Sequence, residues 1–127
     1  LLAYLAAYTE VIGALLLLLG LATRWITIPL IVTMLVAIFA VHWDNGWAAI
    51  ADSSSQEIAV RLGAAKDLLR EYGNYSWLTE KGSLVILNNG IEFGVTYLVM
   101  LVSLLFTGGG RYVSLDYYLS RLFPARA

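Results

Sequence analysis

Three stretches of the chain are almost entirely hydrophobic and are separated by more polar sequence. They cover residues 2–22, 25–43 and 84–106, and a bilayer is crossed by about 20 mainly apolar residues. Pro29 lies in the first turns of the second stretch, where a missing N–H costs least. Three consecutive glycines at residues 108–110 end the third stretch. The pattern predicts three membrane-spanning helices.

The polar connection between the second and third stretches, residues 44–82, has a pattern of its own. Ser54 and Glu57 have the spacing of a capping box, and Gly73 is a helix stop. Between them, apolar residues recur at helical spacing at Ile58, Leu62, Ala65, Leu69 and Tyr72. The pattern predicts an amphipathic helix that lies on the membrane surface or caps the bundle. A second amphipathic stretch, with Leu115, Leu119 and Leu122 in step, follows the glycines.

Composition supports a membrane protein and excludes several other classes. The chain is 60% hydrophobic and 13% charged, whereas soluble domains carry about 25% charged residues. The net charge of −1 gives no electrostatic basis for binding nucleic acid. With no cysteine and a single histidine, His42, the chain has no thiol nucleophile and no thiolate metal cluster. A redox role would therefore require a bound cofactor, a diffusible quinone or a partner protein.

Polar residues inside the predicted spans are the candidate functional residues. A carboxylate at the centre of a spanning helix costs about 2.5–3.5 kcal/mol, yet the spans contain Glu10 and Glu92. Alternating span directions place all the candidates in the same half of the membrane, with His42 at the rim: Glu10, His42, Asn88, Asn89 and Glu92. Asn89, Glu92 and Thr96 share one face of the third span, and Gly90 and Gly94 suit close helix contact. We therefore predict a polar groove that opens toward the long loop, the polar connection between the second and third spans.

Three interpretations of this groove remain open. Glu10 and Glu92 can be neutral or hydrogen-bonded groups that only fix helix register. Alternatively, with His42 they can line a pocket for a small molecule or a quinone and exchange protons with it. The third interpretation is a metal site in which His42, Glu10 and Glu92 are ligands, with Met34 and Met100 as soft neighbours. No catalytic triad or dinucleotide-binding motif is present, so the sequence assigns no catalytic residue.

The chain resembles the DoxX-like small membrane proteins of bacteria in three places. These are residues 10–24, ending Gly-Leu-Ala-Thr-Arg; residues 34–42, ending at His42; and residues 108–116, which read Gly-Gly-Gly-Arg-Tyr-Val-Ser-Leu-Asp. The resemblance implies an all-α integral membrane fold, a four-helix bundle of which three spans are visible here. Residues 1–127 would then form one domain whose first helix is missing, in agreement with an N-terminal leucine. The long loop and residues 87–93 look most like the HvfX branch.

This resemblance implies functions as well as a fold. Members of the HvfX branch are associated with maturation of copper-binding modified peptides, and other family members are subunits of quinone-linked oxidoreductases. We therefore expect an accessory protein of the bacterial inner membrane that acts with a membrane or soluble partner, with quinone or copper as the implied cofactor. A structural scaffold for soluble enzymes is a further alternative.

The basic residues next to the span ends predict the orientation. Arg24 and Arg111 lie on one side, and Lys81 alone lies on the other. We expect a periplasmic long loop and a cytoplasmic C-terminal tail. Arg24, Arg111 and Asp116 would be anchors on the cytoplasmic side.

Overall fold

A computed structural model describes residues 1–122 of the chain. They form two compact units, one of residues 1–41 and 93 onward, the other of residues 42–92. The predicted C-terminal tail continues over residues 123–127, which lie outside the described part. The α-helices in chain order are α1 Leu2–Leu19, α2 Thr23–Val36, α3 Gln56–Tyr72, α4 Tyr75–Leu78, α5 Glu92–Thr107 and α6 Leu115–Leu122.

Helices α1 and α2 are joined by a tight turn. Gly20 ends α1 in the left-handed conformation, with φ 62°, and its amide bonds to carbonyls of the last turn. Helix α2 continues without a break as a π-helical segment, Ala37–His42, and a 3₁₀ turn, Trp43–Asn45. The two apolar stretches of residues 2–22 and 25–43 are thus confirmed as two long helices.

Two helical segments are long and apolar enough to cross a membrane, Leu2–Leu19 with 18 residues and Thr23–Asn45 with 23. Only 6% and 17% of their most apolar windows are buried inside the structure. A soluble protein hides such helices in its core, so this exposure points to lipid contact and to a membrane protein. Helix α5 is also apolar but has only 16 residues, so the predicted number of three spans is not established.

Glycines allow the helices of the first unit to approach closely. A Cβ atom on Gly13 of α1 would lie 2.9 Å from the Leu30 side chain of α2. A Cβ on Gly94 of α5 would lie 2.8 Å from Ile38. Leu30 and Ile38 are accordingly among the few buried apolar side chains of the described chain. Small residues at contacts are typical of helix packing in membranes, as we predicted for Gly94.

The second unit contains the predicted amphipathic helix, α3, but its start differs from the prediction. The residue before the first helical turn is Ser55, whose side chain makes no capping bond, so the predicted Ser54–Glu57 capping box is wrong. Glu57 instead pairs with Arg61 at 2.6 Å, because the two residues are one turn apart. Ser54 belongs to the preceding turn, where its amide donates to Asp52 and lowers the pKa of that carboxyl. The helix ends at Gly73, as predicted.

The third predicted span begins eight residues too early. Residues 84–91 are not α-helical, and α5 starts at Glu92. The cause is the Asn-Asn-Gly sequence at residues 88–90, in which Asn89 has a positive φ of 57°, a conformation that asparagine tolerates better than most residues. Asn89 therefore does not share a helical face with Glu92 and Thr96, and Gly90 is not in the helix that contains Gly94.

Candidate functional site

Residues 88–92 lie along residues 45–49, and we call these two segments together the paired loop. The amides of Gly90, Ile91 and Glu92 donate to the carbonyls of Ala48, Gly46 and Trp47, at 3.0–3.1 Å. The Asn88 side chain donates to the carbonyls of Asn45, at 2.6 Å, and Ala48, at 3.0 Å. The two segments are thus held together by hydrogen bonds. The amides of residues 90–92 donate to the neighbouring segment, whereas in a helix they would donate to carbonyls of the same helix.

Two predicted groove residues, His42 and Asn89, meet at this paired loop. The Asn89 carbonyl accepts from the Asn45 side chain at 3.1 Å and lies 2.9 Å from Nδ1 of His42. A carbonyl can only accept, so this bond requires hydrogen on Nδ1 and leaves Nε2 of a neutral imidazole as an acceptor. His42 is therefore oriented by the backbone of a neighbouring loop.

Glu92 is the first residue of α5, whereas the sequence had indicated a position inside the third span. Its Oε2 accepts the amide hydrogen of Ala49 at 3.0 Å, and Ala49 is 3% exposed. The carboxylate thus satisfies a buried backbone donor, a contact that favours the interpretation of Glu92 as a structural group.

Glu10 lies on α1 and lines an apolar cleft of about 470 Å³ in the first unit. We call this cavity the Glu10 cleft. Helices α1, α2 and α5 all contribute to it, with Ala14, Leu30, Met34, Tyr97, Met100 and Leu104 among its lining residues. Within residues 1–122, Glu10 is the only charged residue of the lining. The cleft thus combines a long apolar surface with one carboxylate.

The remaining candidates are distributed over both units. Thr96 lies on α5 of the first unit, where it is exposed, while His42, Asn88, Asn89 and Glu92 belong to the second unit. Within the described residues, no group of three or more His, Cys, Asp or Glu side chains has the arrangement of a metal site. Metal binding by His42, Glu10 and Glu92 stays a prediction.

Asp116 and Ser114 bind the turn between α1 and α2, a contact across more than ninety residues of sequence. The Asp116 carboxylate accepts the amide hydrogens of Ala22, at 2.7 Å, and Thr23, at 3.0 Å. The Ser114 hydroxyl and the Asp116 amide both donate to the Gly20 carbonyl, at 2.7 and 3.0 Å. We call Ser114 and Asp116 the turn clamp.

In the turn clamp, Asp116 has defined hydrogen-bond partners that the sequence did not indicate. Sequence reasoning placed Asp116 among the cytoplasmic anchors and overlooked Ser114, which is 4% exposed. Both residues belong to the Gly-Gly-Gly-Arg ending on which the family resemblance rests. A serine and an aspartate two residues apart, at the start of an amphipathic helix, were the available signal in the sequence.

Arg24 and Arg111 line a second cleft of about 470 Å³, formed where α2 begins and α5 ends. We call it the arginine cleft. The Arg24 guanidinium donates to the Phe106 carbonyl at 3.1 Å. Gly108, with φ 72°, leaves room beside it, since a Cβ there would lie 3.0 Å from Arg24 Nε. Asp116 also lines this cleft, so the three predicted anchors lie together.

Comparison with known proteins gives one match. The DoxX family model matches residues 1–43, which cover α1, α2 and the π-helical segment. No curated protein and no solved structure matches the chain significantly. Over these residues the chain is similar to the DoxX family, and together with the exposed apolar helices this similarity points to a membrane protein.

Proposed function

We propose that this protein is an accessory of a redox system in the bacterial inner membrane and that its Glu10 cleft receives a small lipophilic molecule such as a quinone. The observation that carries this proposal is the composition of the cleft, a long apolar lining that holds one carboxylate. Ligand pockets typically combine an apolar lining with a few polar groups that fix the orientation of the ligand.

The chemistry of a quinone suits these side chains. Reduction of a quinone to a quinol takes two electrons and two protons, and an intramembrane carboxyl is a suitable proton carrier. Glu10 would hydrogen-bond a quinone oxygen and exchange a proton with it, while the isoprenoid tail would lie against Leu30, Met34 and Leu104. The chain has no cysteine, so the electrons would come from a partner redox protein.

A finer assignment to the HvfX branch rests on the sequence of residues 87–93 and of the Gly-Gly-Gly-Arg ending. If this assignment holds, the partner system is the maturation of copper-binding modified peptides. His42 would then be the first candidate for transient copper contact, because the Asn89 carbonyl engages Nδ1 and leaves Nε2 as the other ring nitrogen.

The full chain purified in mild detergent tests the proposal directly. Extraction with organic solvent and chromatography would show a copurified quinone, and elemental analysis of the same preparation would show any copper. We expect Glu10→Leu, which has no hydrogen-bonding group, to reduce quinone occupancy several-fold, since loss of one hydrogen bond costs about 1 kcal/mol. Ala14→Phe would place a ring in the cleft and abolish binding.

Two matched variants serve as controls for this experiment. Ala7→Phe adds the same ring to α1 at an exposed position that does not line the Glu10 cleft. Glu71→Leu makes the same substitution at an exposed carboxylate of α3. Both should retain quinone.

Equal quinone content in the Ala14→Phe and Ala7→Phe proteins would contradict the proposal, and so would absence of quinone from the unmodified protein. A structural scaffold for soluble enzymes would then be the better interpretation.

A further inference from the structure

We propose that the arginine cleft binds the phosphate group of an anionic phospholipid. This inference concerns the opposite end of α2 from the long loop and goes beyond the proposed quinone function. It rests on the positions of Arg24 and Arg111, on the partners that these side chains have, and on the apolar residues beside them.

The cleft contains two cations and one engaged anion. Arg24 and Arg111 both line it, and within residues 1–122 neither forms an ion pair. Among the described residues of the lining, Asp116 is the one acidic residue, and its two carboxylate oxygens accept the amide hydrogens of Ala22 and Thr23. The cleft therefore has an excess of positive charge, and its carboxylate already has partners.

Arg111 makes no hydrogen bond in the described part of the chain, whereas Arg24 is fixed by the Phe106 carbonyl. One guanidinium is thus held in place and the other is available to fold onto a ligand. Arginine is well suited to this role, because its planar fork of N–H donors matches phosphate oxygens in pairs. Thr107 and Ser120 add hydroxyl groups to the same lining.

The position of the cleft favours a lipid as the source of the phosphate. It lies where the apolar helix α2 begins and the apolar helix α5 ends, and Trp25 and Phe106 beside it are 77% and 76% exposed. Tryptophan at this position is typical of the membrane interface, and arginines near the surface attract anionic lipids. A headgroup in the cleft would leave its acyl chains along these apolar surfaces.

A neighbouring feature also favours a polar occupant. A smaller cleft of about 190 Å³ shares Gly108 and Gly109 with the arginine cleft, and Thr23 lines it. The Thr23 hydroxyl oxygen is buried and has no hydrogen-bond partner within the described residues. A buried hydroxyl without a partner is costly, so a hydroxyl of a glycerol headgroup would be stabilised there.

Native mass spectrometry of the full chain in detergent, titrated with dioctanoyl phosphatidylglycerol, tests this proposal. Dioctanoyl phosphatidylcholine and inorganic phosphate are the comparison ligands. Arg111→Gln is the primary variant because Arg111 has no hydrogen bond or ion pair within residues 1–122, and Arg24→Gln/Arg111→Gln is the stronger one. Arg61→Gln, in the exposed helix α3, is the matched control.

We expect phosphatidylglycerol to bind the unmodified and Arg61→Gln proteins with the same affinity. Binding should weaken about 5-fold in Arg111→Gln and about 30-fold in the double variant, at about 1 kcal/mol per arginine. Phosphatidylcholine should bind the unmodified protein more weakly than phosphatidylglycerol. Equal phosphatidylglycerol affinity in all four proteins would overturn the proposal, and displacement of the lipid by equimolar inorganic phosphate would overturn the assignment to a lipid.

Discussion

Asp116 links two parts of the chain through backbone donors. The first amides of a helix have no partner within the helix, and α2 has no side-chain cap of its own. Asp116 supplies the acceptors from a position 94 residues away from Ala22. It also places a negative charge at the positive end of the α2 dipole. A residue that the sequence suggested only as a membrane anchor therefore stabilises a helix start.

Substitution of Asp116 by alanine should destabilise the protein. Loss of a helix cap costs about 0.5–2 kcal/mol, and the Ala22 and Thr23 amides would both lose their acceptor. The free energy of unfolding in mixed detergent micelles measures this loss. Asp67→Ala is the control, because Asp67 is exposed and, within residues 1–122, pairs with Arg70 alone, on the same helix. Equal stability of the two variants would show that Asp116 does not act as a cap.

At the scale of elements, the paired loop explains why the third span begins late. Hydrophobic residues from Leu84 onward suggested one continuous helix, and amphipathic periodicity correctly predicted α3 and α6. Apolar composition does not reveal that the amides of residues 88–92 bond to residues 46–49 instead of to their own helix. Such pairing joins residues more than forty positions apart, so local sequence contains only a weak signal, the Asn-Asn-Gly turn.

Gly90 should be the glycine of the paired loop that least tolerates a side chain. A Cβ there would lie 2.5–2.7 Å from the carbonyl oxygens of residues 46–48, so Gly90→Ala must separate the two segments. We expect a loss of about 1–3 kcal/mol and faster hydrogen exchange of the amides of residues 90–92. Gly63→Ala has open space around it and should instead stabilise α3 by up to about 1 kcal/mol. Unchanged exchange in Gly90→Ala would contradict the close approach.

At the scale of the whole molecule, composition and hydrophobic pattern were sufficient to predict a helical membrane protein. The two long helices and the family match over residues 1–43 agree with that prediction. The groove was harder to predict, because its residues were placed by assuming that residues 84–91 were helical. Glu10 lines an apolar cleft within the first unit, whereas Glu92 caps a backbone amide within the second.

We propose that the chain crosses the inner membrane with the periplasmic long loop and the cytoplasmic C-terminal tail that its sequence predicts, and cysteine labelling tests this proposal most directly. The chain has no cysteine, so Ser83→Cys in the long loop and Tyr112→Cys between α5 and α6 would each be the only thiol. We expect a membrane-impermeant maleimide to label Ser83→Cys from the periplasmic side in intact cells. Tyr112→Cys should be labelled only after permeabilisation. Labelling of both positions from the same side would contradict this account.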